Sequence, residues 1–168
     1  NGEASLKVYS ASTKIWLTVA STYIQITATG IGKGFEKGDG IIVYGDLTIN
    51  GGEFTCNGIE GVTAHALVAW DGSVTTINGG TFEKVGDINM SGTGGGGICA
   101  IYGANLVVKG GTFAGDYADI YDWGGKNANG RATAISVTGG TFKFKPSFVA
   151  TGYKANQNTD GTWSVVAE

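Results

Sequence analysis

Ile135-Ser-Val-Thr-Gly-Gly-Thr-Phe142, ISVTGGTF, is the last of four near-copies: LTINGGEF starts at Leu47, TTINGGTF at Thr75 and LVVKGGTF at Leu106. Their first glycines, Gly51, Gly79, Gly110 and Gly139, stand 28, 31 and 29 residues apart. Two residues before the glycines come Ile49, Ile77, Val108 and Val137, and four before come Leu47, Thr75, Leu106 and Ile135. Three residues after the first glycine comes Phe54, Phe82, Phe113 or Phe142. Alternation of apolar residues with period two, rich in β-branched side chains, marks a strand with one buried face. A looser motif precedes each strand: GIIVYGD to Asp46, ALVAWDG to Gly72, ICAIYGA to Ala104 and DIYDWGG to Gly125. Each repeat therefore holds two strands.

A unit of two or three short strands cannot bury its own apolar face, but units stacked about 4.8 Å apart share a continuous core and a parallel ladder. Glycine pairs suit the corners because they admit positive φ, and the repeated phenylalanines can then stack from one unit to the next. The expectation is an all-β chain: a right-handed parallel β-helix, or β-solenoid, of about four coils. Coils of this length with GGTF corners resemble the pectin-lyase-like β-helices, from Gly40 to Phe142; that likeness specifies architecture and says almost nothing of chemistry.

The ends differ from the repeats. Residues 1–39, with KVYSAST, KIWLTVAST and YIQITATGIG, read as a β-rich N-terminal cap or attachment segment, residues 40–142 as the coils, and residues 143–168 as a capping hairpin turning at Asp160-Gly161. GGTF followed by PSFVATGY and DGTW is similar to the endings of GGTF-repeat proteins from bacterial surfaces and from phages of gut bacteria. The stretch from KVYSASTKIW to KGDGI resembles the start of phage head-fibre and other virion surface proteins.

At 168 residues the chain supports one sizeable core. It carries 31 glycines, 1 proline, 42% hydrophobic and only 15% charged residues, too apolar for disorder and outside the collagen pattern. A net charge of -3 with Arg131 as the sole arginine argues against nucleic acid. No apolar run is long enough to span a membrane, and the opening on Asn1 rather than methionine suggests processing or trimming. Cys56 and Cys99 fall at different places in the repeat, so two buried thiols are expected rather than a disulfide.

Catalysis on such a scaffold needs convergent groups. The lyase candidates are Asp116, Asp119 and Asp122, whose oxygens suit a hard cation, with Arg131 as base; the plainer reading is a solvated acidic loop. His65 with Asp71 and Glu60 would be the hydrolase set, and there the plainer reading is a surface histidine. The GTGGGG run lacks the lysine and hydroxyl of a phosphate loop. That run lies in the first of two long loops, Glu83 to Ile98, and the second runs from Gly124 to Thr133; both are places to look for partner contacts.

Tyr44, Trp70, Tyr102 and Trp123 recur once per unit, so their rings should lie one above another, available to sugar rings or a protein partner, or simply covering the corners. The inward set before them would be Ile41 and Val43, Leu67 and Ala69, Cys99 and Ile101. The expected function is that of a non-catalytic structural and binding protein of a phage virion surface, of head-fibre or decoration type. It would have no metal or other cofactor and would contact protein neighbours, with a homotrimer suiting a fibre. The alternatives are a secreted or cell-surface bacterial adhesin binding glycans, and a polysaccharide lyase.

Overall fold

The computed structural model describes residues 5–8, 13–19, 22–28, 41–58, 65–86 and 96–168. The described residues are all-β, and their strands fall into two sheets. The first, seven-stranded, runs β1 (Ser5–Val8), β4 (Ile41–Ile49), β6 (Leu67–Ile77), β8 (Gly96–Ile101) and β11 (Ala118–Gly124), with β9 (Asn105–Val108) and β12 (Ala134–Val137) branching from β6. The second, eight-stranded, follows the order β14 (Tyr153–Gln157), β15 (Trp163–Ala167), β13 (Thr141–Phe142), β10 (Thr112–Ala114), β7 (Thr81–Gly86), β5 (Gly52–Gly58), β2 (Thr13–Val19), β3 (Thr22–Ala28). One core of residues from both sheets fills the space between them.

The four quoted stretches pair in parallel and in register. Ile49, Ile77, Val108 and Val137 are successive partners, as are Phe54, Phe82, Phe113 and Phe142. The phenylalanines are buried, and their rings stack at 4.5, 5.3 and 4.9 Å with interplanar angles of 6°, 7° and 13°. Those separations match the spacing of neighbouring strands, about 4.8 Å, so backbone pairing and ring stacking reinforce each other.

The two glycines of each pair do different jobs. The second, Gly52, Gly80, Gly111 or Gly140, turns the corner at φ of 118°, 110°, 108° or 109°, where a side chain would be strained. In the last three pairs the first glycine lies close under the unit before it: a Cβ on Gly79 would stand 2.9 Å from the Asn50 carbonyl oxygen, and one on Gly139 would collide with that of Lys109, whereas Gly51 has open space.

The expected right-handed parallel β-helix of about four coils with capped ends is corrected by this architecture. The described strands build two mixed sheets rather than a succession of regular coils. β1 joins β4, and β2 joins β5, antiparallel, and β15 does the same beside β13. The segments between the Gly-Gly corners are also unequal. β4 and β6 are continuous strands of 9 and 11 residues whose pairing shifts register between Tyr44 and Asp46, whereas the corresponding path breaks between β8 and β9, and β11 carries an irregularity between Asp122 and Gly124. A shared corner motif thus imposes local register without imposing equal coils.

At the C-terminal end β14 and β15 form the expected hairpin. Its turn is closed by Asn158 N–H donating to Thr162 O at 2.8 Å, with Gly161 at φ 88°. Val165 is buried, and Phe148, Tyr153 and Trp163 pack against the main core. In the N-terminal region the strands β1 to β3 are described, while residues 29–40 lie outside the described residues, as does the middle of the first long loop, residues 87–95, with most of its GTGGGG run.

Candidate functional site

The acidic segment is not a solvated loop. Lys84 follows Phe82 by two residues in β7 and so points inward with it, its side chain 0% exposed, where its Nζ pairs with Asp116 Oδ2. A lysine buried this completely needs a partner, and Asp116 supplies it. Asp119 is 4% exposed: one oxygen accepts from Gly115 N–H at 2.9 Å and the other from Phe144 N–H at 2.7 Å. Burial raises its pKa, although these backbone donors act in the opposite direction. The carboxylate therefore fastens the turn before β11 to the segment after β13.

The other two lyase candidates are engaged elsewhere. Asp122 is exposed and accepts from Gly124 N–H at 2.8 Å, two residues along its own chain. Arg131 reaches across successive corners, donating from Nε to Gly103 O at 2.6 Å and from Nη2 to Gly72 O and to Ser73 O at 3.3 Å. Its loop is ordered by Asn127, whose Oδ1 accepts the N–H of Asn129 at 3.0 Å and of Arg131 at 2.9 Å. Among the described residues no three His, Cys, Asp or Glu side chains gather as metal ligands.

His65 also departs from its surface reading. It is 0% exposed, accepts from Gly96 N–H at Nδ1 over 2.9 Å, and lies 6.2 Å from the ring of Tyr121. Burial, above all, pushes its pKa down to about 3. The accepting Nδ1 fixes the neutral tautomer with the proton on Nε2. Asp71 is exposed at a corner with φ of 34°, about 20 Å of extended chain further on, and Glu60 lies outside the described residues.

The aromatic series keeps register only at its start. The Tyr44 backbone pairs with that of Trp70; the Tyr44 side chain lies outside the described residues. Trp70 is half-buried and meets Tyr102 edge-on at 5.6 Å and 74°. Ala69 is paired with Ala100, however, so Tyr102 falls one place beyond the position equivalent to Trp70, in a corner with φ of 50°. It is Gly125 that backs the Tyr102 ring, since a Cβ there would stand 2.7 Å from Cδ1. Trp123 sits at the β11 irregularity and turns to Tyr121, 5.6 Å away.

The same offset changes the inward set. Ile41, Val43, Leu67 and Ala69 belong to the main core as expected, but in β8 that role falls to Ile98 and Ala100. Cys99 and Ile101 join Ile42 and Val68 in a second cluster, because a shift of one residue exchanges the faces of a strand. Cys56 is in the main core, so the two buried cysteines, not joined by a disulfide, stand in separate clusters.

A groove of about 180 Å³ opens where the start of β11 meets residues 142–148. Tyr117, Asp119, Phe142, Phe144, Lys145 and Phe148 are among its lining residues. Tyr117 and Phe144 are exposed, at 61% and 38%. Neither belonged to the repeating aromatic series, and period alone could not have found them. The clue in the sequence was the unpatterned cluster DYADIYDW beside the post-corner run FKFKPSF.

No protein-family model, curated protein or solved structure matches this chain.

Proposed function

We propose that the protein is a non-catalytic structural and binding component of a phage virion surface, of head-fibre or decoration type. The observation that carries this reading is the use made of the chain's candidate catalytic groups. Asp116 neutralises a buried lysine, Asp119 and Arg131 tie separate segments together through backbone groups, and His65 is held neutral in the interior. Groups committed to cross-linking the frame suit a stiff, weakly charged scaffold better than an acid–base site. The resemblance of the N-terminal stretch to the start of phage head-fibre proteins supports the same reading, and the C-terminal ending resembles GGTF-repeat proteins of gut phages and of bacterial surfaces alike.

Labelling tests it. An antibody against the protein should decorate intact, purified phage particles, and sedimentation should give the mass of a homotrimer if the component is a fibre. Particles that carry none of the protein contradict the reading. Turnover of pectin or alginate by the unmodified protein, lost on replacing Asp119 and Arg131, would promote the lyase instead. A second reading, a bacterial surface adhesin for glycans, is favoured by the groove with its exposed Tyr117 and Phe144.

A further inference from the structure

The groove is small, and its walls are of two kinds. Clefts for drug-sized ligands span about 300–1,000 Å³, so 180 Å³ accommodates a single ring rather than an extended ligand. Tyr117 and Phe144 offer exposed aromatic surface over a floor that includes buried Phe142. Asp119 lines the groove at 4% exposure: its oxygens accept the N–H of Gly115 and of Phe144, with Lys143 N–H also acting on it, while a carboxylate has about four lone-pair sites in all. Burial raises its pKa, and hydroxyl donors from a ligand would act in the opposite direction, as the backbone donors already do. Lys145 and Ser147 add polar groups to the lining. Flat apolar surface beside unsated acceptors complements a ring with a C–H face and a rim of hydroxyls.

We propose that this groove binds one hexopyranose unit of a surface glycan, its C–H face against Tyr117 and Phe144 and its hydroxyls donating to Asp119. The proposal rests on reading the protein as a surface binding component, and it narrows that reading to a ligand class and a place. It moves the ligand contact from the periodic aromatics to the junction of β11 with the C-terminal segment.

Saturation-transfer NMR with titration tests it, using the methyl glycosides of glucose, galactose and N-acetylglucosamine against the full chain. At least one should give a saturable signal. Tyr117→Ala, which removes an exposed ring and leaves the core alone, should weaken that binding about tenfold, the loss expected for one aromatic contact. Asp119→Asn should weaken it as well, whereas Trp123→Ala should leave it unchanged. No saturable signal from any of the three glycosides overturns the proposal. So does a signal that survives Tyr117→Ala, or one that disappears with Trp123→Ala. Each of these failures leaves the surface reading standing, because particle labelling decides that independently.

Discussion

Two aromatic files run through this molecule, and only one holds together. In the eight-stranded sheet, Phe54, Phe82, Phe113 and Phe142 stack nearly parallel in the core. Along the seven-stranded sheet, Trp70 meets Tyr102 edge-on, and Trp123 turns away to Tyr121. The phenylalanines follow a corner whose geometry recurs, with a positive-φ glycine two residues before each ring. The other aromatics stand at corners that change: β4 and β6 continue with a register shift past Tyr44 and Trp70, β8 stops before Tyr102, and β11 is irregular at Trp123. A repeated residue becomes a repeated contact only where the backbone around it repeats too.

The largest effect should come from the file that holds. Phe113 is flanked by a ring on each side, and Phe113→Ala should destabilise the protein by about 3–5 kcal/mol in denaturant unfolding. Phe142 has one such neighbour and should cost less. Equal, small losses at both positions would put the rings on the surface and dissolve the contrast.

Acid should come next. The folded-state pKa of His65, about 3, lies below the ordinary 6.5, so its contribution is complete above pH 6.5 and is lost as pH falls from there toward 3. At about 1.4 kcal/mol per pH unit the loss over that span amounts to roughly 5 kcal/mol. His65→Asn, which keeps an acceptor for Gly96 N–H, should remove that part of the pH dependence. An unchanged stability profile in the variant would mean that the imidazole is open to water.

The ion pair follows. Asp116→Ala removes the carboxylate paired with the buried Lys84 ammonium and should cost about 3 kcal/mol, while Lys84→Met with Asp116→Leu should restore most of it. A single variant as stable as the parent would return Asp116 to the solvated loop. Smaller again are the corner aromatics, Tyr102 at 42% and Trp123 at 43% exposure. Alanine at either position should cost less than about 1 kcal/mol in thermal or denaturant unfolding.

These contrasts mark what the sequence made legible. The buried alternation up to Ile49, Ile77, Val108 and Val137, the Asp160-Gly161 hairpin and the two separate thiols were readable, because each depends on local pattern or turn chemistry; the phenylalanines instead open new strands beyond the Gly-Gly corner. Regular coils were not what followed, since the repeat is strict only around Gly-Gly and the intervening segments vary in length and corner. The inward role of Lys84 rests on its pairing with Asp116, 32 residues along the chain, and no local pattern carries it. The burial of His65, Asp119 and the groove depends on segments distant in the chain, as when Phe144 N–H meets Asp119 across 25 residues. No local pattern encodes such a meeting.

The most direct test of the two files is a pair of double-mutant cycles measured by denaturant unfolding. For Phe82→Leu with Phe113→Leu, stacked contact predicts a coupling of about 0.5–1.5 kcal/mol. For Tyr102→Leu with Trp123→Leu, rings turned to different neighbours predict a coupling near zero. Coupling of equal size in both cycles would show that the corner aromatics form a ladder after all, and would contradict the distinction on which this account is built.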